Sequence, residues 1–197
     1  MVFAATILAT VLLAVIIVLM VKTDEKKTED GQPQLAEEFR NPNDDYLIKP
    51  PINWWLQDPH DHHNFYIKGP HERGYMPLIT ICTDVAPGRL ESYVKEYKGR
   101  LQVEDKSVQF ISDTVETING IEAARLVYTW TLVNDDKTEV KVRTLQYIVP
   151  DVPRFYRITS SVRDDIFDKY MARFEASSKT FKLTPPAPAV VKQLAPE

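Results

Sequence analysis

The sequence predicts an α+β domain, a mainly antiparallel sheet of six or seven strands sandwiched between helices, with one transmembrane helix ahead of it. Three observations carry that expectation. Residues 2–21 form a run of 20 without a charge. Alternating strands fill much of residues 108–162 and are joined by turn signals, Asn119-Gly120 foremost. Two other segments, around Leu90 and around Phe167, space their apolar residues at the helical period instead. Strands gathered into runs and followed by helices read as α+β with antiparallel pairing, not as a doubly wound sheet.

In the first run, Thr6 and Thr10 are the only polar side chains, and 13 of the 20 residues are Val, Leu, Ile or Phe. At about 1.5 Å per residue a helix of that length spans ~30 Å, the hydrocarbon thickness of a bilayer. Its apolar residues favour insertion by roughly 4–8 kcal/mol. A core helix would carry a polar stripe, and a cleaved leader would end in small residues after a shorter apolar stretch. Neither pattern is present, so residues 1–21 are expected to be a single-pass membrane anchor. Lys22, Lys26 and Lys27 follow the span and no basic residue precedes it, which by the positive-inside rule favours a cytoplasmic face for the remainder.

Residues 22–44 hold seven acidic and four basic side chains with little apolar content. Such a composition cannot bury enough surface to offset ordering entropy, so this stretch reads as a flexible acidic tether, with one helical turn at 35–39 as its only local structure. Residues 45–183 make the folded domain. Pro185, Pro186, Pro188 and Pro196 mark residues 184–197 as an extended proline-rich tail. The domain holds 19 basic and 20 acidic side chains and no sustained basic block, which excludes nucleic acid as a partner. The single cysteine, Cys82, excludes an internal disulfide.

Within the domain, Tyr46-Leu47-Ile48-Lys49 is a short strand stopped by Pro50-Pro51. Phe65-Tyr66-Ile67 and Leu78-Ile79-Thr80-Ile81-Cys82 follow, separated by Gly69-Pro70 and Gly74. Leu90, Tyr93, Val94, Tyr97 and Leu101 recur at helical spacing, with Glu91, Lys95, Glu96 and Lys98 on the other face and Asp84 as an early cap. The two tyrosines read as helix packing. Asn119-Gly120 turns the chain between long strands, because both residues tolerate positive φ. The apolar set then moves from Val140 and Val142 to Leu145, Tyr147 and Val149, a one-residue slip that predicts a bulge near Arg143. Phe167, Tyr170, Met171, Phe174 and Phe181 close the domain as a second helix capped by Asp164 or Asp165.

These residues carry a family resemblance. Tyr46-Leu47-Ile48-Lys49-Pro50 followed by Asn53-Trp54-Trp55 resembles the opening of PsbP-type domains. The helix from Leu90, the turn Ile118-Asn119-Gly120-Ile121-Glu122-Ala123, the aromatic Phe155-Tyr156 pair and the closing Phe174 to Phe181 segment are similar in order to the same family. The resemblance covers residues 45–183. It implies an antiparallel sheet between helices, in a family of mostly binding or assembly proteins without a shared catalytic site. It also implies an extracytoplasmic placement, since bacterial members are often exported, against the vote of the flanking lysines.

Four histidines, His60, His62, His63 and His71, lie within twelve residues beside Asp61 and Glu72. His60 and His62 would share a face if extended and are the candidate ligands of a divalent metal, the only cofactor suggested. Trp54 and Trp55 are the candidate partner contacts, since exposed tryptophan is favoured at interfaces and one of the pair is expected in the core. Nucleophile elbows, phosphate-binding loops, HExxH and dinucleotide fingerprints are absent from the sequence, and six glycines leave little for phosphate cradles. The paired acids Asp135-Asp136 and Asp164-Asp165 read as a hairpin tip and a helix cap. The expected role is therefore a non-enzymatic, membrane-tethered domain that binds a membrane-associated protein. The alternative is a module that binds a small, lipid-like or metal ligand in a crevice between sheet and helix.

Overall fold

The structure is a computed structural model and describes residues 33–41, 46–57 and 64–184. In chain order the described elements are β1 (Phe39–Arg40), β2 (Tyr46–Ile48), β3 (Trp55–Gln57), β4 (Asn64–Lys68), β5 (Leu78–Val85), α1 (Leu90–Glu104), β6 (Gln109–Ile118), β7 (Ile121–Val133), β8 (Glu139–Asp151), β9 (Arg154–Arg163), a 3-10 turn (Asp164–Ile166), α2 (Phe167–Ser178) and β10 (Lys182–Leu183). Among the described residues no helix is long and apolar enough to cross a membrane. The expected anchor at residues 2–21 lies outside them.

Seven strands form one antiparallel sheet in the order β3-β4-β5-β9-β8-β7-β6. Alternation along the long central strands sends one set of side chains to each face. Ala124, Leu126, Tyr128, Ile148 and Phe155 pack under Tyr93, Val94 and Tyr97 of α1. On the other face Val127, Leu145, Tyr147, Val149, Tyr156 and Ile158 pack against Phe167, Tyr170 and Phe174 of α2. Each large apolar side chain so covered contributes about 1.5–3 kcal/mol by leaving water. The sheet therefore needs both helices, and the fold is α+β.

The expected bulge near Arg143 is not there. The β7–β8 ladder runs unbroken from Ala124↔Ile148 to Val133↔Glu139, and β8–β9 is equally regular. The change of apolar phase is a change of face. On the α1 side, Thr144 and Gln146 are buried polar residues, and on the α2 side the Arg143 guanidinium lies over the Phe167 ring. Register irregularity falls instead on the outer strand β6, between Phe110 and Ser112.

Three short strands, β1, β2 and β10, form a second, smaller sheet. Strand β2 pairs with β1 on one side and β10 on the other, Phe39 opposite Ile48 and Lys182 opposite Leu47. Residues 35–41, which composition assigned to the tether with a helical turn, are instead extended and docked. Leu35 bridges to Pro51, and Phe39 stacks on Phe65 with ring centroids 4.3 Å apart. The Asn41 side-chain amide donates to the buried Tyr46 hydroxyl at 2.8 Å. Charged neighbours conceal this apolar anchor from a composition window.

The second helix also ends earlier than its apolar spacing suggested. It stops at Ser178, and Phe181 lies beyond it, buried against Tyr46 and Tyr156. Asn119, in the β6–β7 turn with φ 47°, donates its side-chain amide to the carbonyls of Phe181 at 2.6 Å and Lys179 at 3.2 Å. One turn residue thus reverses a hairpin and ties down the segment after α2.

Candidate functional site

The tryptophan pair is divided by a tight turn. The Trp54 N–H donates to the Pro51 carbonyl at 3.2 Å, with Asn53 in the left-handed region at φ 64°. This aims Trp54 inward, edge-on to Tyr170 and Phe174 of α2 at 6.2 and 6.0 Å between centroids. The indole lies so close to Gly69 that a Cβ there would stand 2.7 Å from Trp54 Cζ2, so a larger residue at 69 has to displace the ring. Trp55, across from Lys68 on β4, is on the opposite face and 45% exposed. Its neighbours Leu56 and Ile52 are exposed as well. Because β3 ends the sheet order, Trp55 and Leu56 sit on an outer strand whose far edge has no strand partner among the described residues, with Ile52 in the turn before it. Apolar side chains on a free edge form a surface to which another chain can add.

His60 and His62 lie outside the described residues. Among the described residues no group of three or more His, Cys, Asp and Glu could hold a metal. Cys82 is half-buried on β5.

A second feature is built from residues that were not named as a site. Between the end of β5 and α1 lies a cavity of about 410 Å³ lined in part by Asp84, Val85, Tyr93, Glu96, Tyr97 and Arg100. Asp84 does not cap α1; the Ser92 hydroxyl does, accepting from the Arg89 N–H at 3.2 Å and donating to the Arg89 carbonyl at 2.8 Å. Asp84 instead pairs with Arg157 of β9, accepting a hydrogen bond from Nη2 at Oδ1, 3.1 Å, with Nε at ion-pair distance from Oδ2, 3.0 Å. The Tyr93 hydroxyl also donates to Asp84 Oδ2, and Arg100 Nη2 stands 3.6 Å from the same oxygen. Arg157 Nη1 and the buried Gln146 amide both donate to the Tyr97 phenol oxygen, at 3.3 and 3.0 Å. Phe155 stacks under Tyr93 at 4.1 Å, and Arg100 and Arg157 lie over the Tyr97 ring at 5.5 and 5.1 Å.

These contacts decide the charges. Burial works to raise the Asp84 carboxyl, but the Tyr93 hydroxyl and the Arg157 and Arg100 guanidiniums outweigh it and hold Asp84 below the usual aspartate range. Burial, with Asp84 beside it, pushes the Tyr93 phenol well up. Burial works against the charge on Arg157, yet Tyr97 and Asp84 overcome it and hold that guanidinium above its ordinary value. Near neutral pH all three stay locked in their usual protonation states.

Sequence reasoning placed Tyr93 and Tyr97 on the packing face of α1 but did not join them to Asp84, Gln146 or Arg157. The available signal was the i, i+4, i+7 series Tyr93, Tyr97, Arg100, an aromatic stripe ending in a cation. The glutamine interrupting Leu145 and Tyr147 was a second sign that a polar group is needed under the helix.

The chain matches no protein-family model and no curated protein sequence. It does resemble solved structures. The cyanobacterial PsbP protein of Synechocystis sp. PCC 6803 superposes with a TM-score of 0.56 at 14% identity, over 75% of this chain and 91% of that one. LpqN of Mycobacterium tuberculosis, described as involved in cell envelope biogenesis, superposes at 0.53 and 14% identity, over 71% and 83%. The Ran-binding protein Mog1p of Saccharomyces cerevisiae superposes at 0.54 and 7% identity, over 76% and 96%. At such identities what is shared is the chain path: an antiparallel sheet, its two covering helices and their order. The fold of this chain is the PsbP-like fold.

Proposed function

We propose that this chain is a non-catalytic, single-pass membrane protein whose folded domain binds another protein of a membrane complex through the β3 edge. The observation that carries the reading is the exposed apolar group of Trp55 and Leu56 on the outermost strand of the main sheet, with Ile52 in the turn just before it. Tryptophan is favoured at the centre of protein interfaces, and a free strand edge supplies backbone donors and acceptors beside it. The polar cluster at the cavity between β5 and α1 speaks for binding over acid–base chemistry. An ionised Asp84, a protonated Tyr93 and a charged Arg157 are none of them poised to exchange a proton near neutral pH. The folds of a Ran-binding protein and of an envelope-biogenesis protein support a binding role.

The apolar run at residues 2–21 supplies the tether, and the likeness to envelope proteins favours the extracytoplasmic side. Protease digestion of intact cells carrying a C-terminal tag tests that placement: loss of the tag supports it, and protection overturns it. The partner reading is tested by cross-linking the full chain in native membranes, comparing wild type with Trp55→Ser/Leu56→Ser. Recovery of a reproducible partner by wild type and its loss from the variant are expected. Equal recovery by both would remove the β3 edge from the reading.

A further inference from the structure

The cavity between β5 and α1 asks for a ligand of its own. Its helical wall carries Glu96 and Arg100, one turn apart and both lining the space. At that spacing a glutamate and an arginine can pair, yet here no ion pair joins them among the described residues. Arg100 is held elsewhere, stacked over Tyr97 at 5.5 Å and drawn toward Asp84 Oδ2 at 3.6 Å. That distance is too long for a hydrogen bond. Asp84 Oδ2 is instead occupied by the Tyr93 hydroxyl, with Arg157 Nε standing 3.0 Å away. The guanidinium fork is therefore left with donors aimed at no protein acceptor among the described residues, in a wall that also bears the carboxylate of Glu96.

We propose that this cavity binds a small zwitterion of the α-amino-acid class, its carboxylate on Arg100 and its ammonium on Glu96. A planar guanidinium suits a carboxylate, which it can grip through two parallel hydrogen bonds. The ammonium lies near Glu96, with Asp84 Oδ1 as a second anionic neighbour that takes only one bond from Arg157. Val85, 76% exposed, and Ala86 line the strand side and give an apolar side chain somewhere to rest. A space of about 410 Å³ is at the lower end for small-molecule sites and suits a ligand of this size with its waters. The rigid floor matters as much as the charges. Stacking of Phe155 on Tyr93 and of Tyr93 on Tyr97, with two guanidiniums over the Tyr97 ring, holds the wall in place before any ligand arrives. The proposal is independent of the β3 edge, at which a different strand and different residues are used, so failure of one leaves the other standing.

The test is a titration of the isotopically labelled full chain in detergent micelles, read by backbone amide shifts at residues 83–86 and 93–100. The probes are leucine, isocaproate, which lacks the amine, and isopentylamine, which lacks the carboxylate. Leucine is expected to saturate these shifts with a dissociation constant on the order of 1 mM. Each half-ligand, and leucine on Arg100→Gln or Glu96→Gln, is expected to bind roughly tenfold more weakly or worse. Both variants change exposed side chains, and their remaining amide shifts should stay in place. If Arg100→Gln disturbs the whole spectrum, the comparison of the three probes on the wild-type chain decides alone. Absence of saturable shifts with leucine into the tens of millimolar, or equal binding of isocaproate and leucine, overturns the proposal.

Discussion

Arg157 and Asp84 join the neighbouring strands β9 and β5 through two contacts, Nε to Oδ2 at 3.0 Å and Nη2 to Oδ1 at 3.1 Å, beneath the two tyrosines of α1. Residues Cys82 and Arg157 are cross-strand partners, and so are Asp84 and Phe155, so the ion pair runs diagonally on the ladder. Tyr93 and Tyr97 then cover it, each bonded to one member. Partly shielded pairs of this kind are costly to break from one side.

Replacing Asp84 with Asn leaves the Arg157 guanidinium half-buried without its counter-charge. Stability at neutral pH is expected to fall by about 2–3 kcal/mol, as for loss of one partner of a shielded, hydrogen-bonded charge pair. Urea denaturation followed by circular dichroism measures it. A loss no larger than that of an ordinary surface substitution would show the pair to be solvent-screened.

The same residue sets an acid dependence. Asp84 is held low against its burial by Tyr93, Arg157 and Arg100, and Glu72 is held low chiefly by its hydrogen bond from Lys169. A carboxylate with a depressed folded pKa contributes stability that is complete above its unfolded value, about 3.9 for Asp and 4.3 for Glu, and lost as pH falls through the folded one. Urea midpoints should therefore drop below about pH 4, and should drop less steeply for Asp84→Asn than for wild type. A variant curve as steep as wild type assigns the acid loss to other carboxylates.

Gly69→Ala tests the seating of Trp54. The added methyl would meet the indole at 2.7 Å, with Tyr170 and Phe174 closing the other sides. Overpacking of this kind costs about 1–3 kcal/mol. A lower melting temperature and a red shift of tryptophan emission are expected together, because the indole is pushed toward water. An unshifted spectrum with unchanged stability would mean that the turn at Pro51–Trp54 yields without strain.

Asn119 combines a backbone role and a side-chain role, and two substitutions separate them. Asn119→Gly keeps the positive φ but loses the bonds to the Lys179 and Phe181 carbonyls. Its expected cost is about 1–2 kcal/mol. Asn119→Ala adds the left-handed penalty, roughly 1 kcal/mol more. Chemical denaturation of the two variants measures both, and equal costs would deny any strain at this position.

Much of the domain was legible because its signals are local. The helix beginning at Leu90, the Asn119-Gly120 hairpin and the strands from Gln109 to Arg163 follow from periodicity and turn chemistry within a few residues of each position. Where the reading failed, a distant partner decided. Phe39 belongs to a charged stretch and is held by pairing opposite Ile48 and by stacking on Phe65. Phe181 continues the helical spacing, yet the chain leaves the helix so that this ring can meet Tyr46 and Tyr156. The phase change at Arg143 looked like an inserted residue because a strand buried on both faces has no single apolar face to keep in step.

By itself, the sequence determined the class of fold, the order of its principal elements and the apolar run at residues 2–21, all of which rest on spacing and composition along the chain. Only the tertiary structure separated the tryptophans, seating Trp54 under α2 and leaving Trp55 on the outer strand. Only it brought Asp84, Tyr93, Tyr97 and Arg157 together, from two strands and a helix up to 73 residues apart. Hydrogen bonds and ion pairs act over a few ångströms of space, and no periodicity in the chain records which strands will lie side by side.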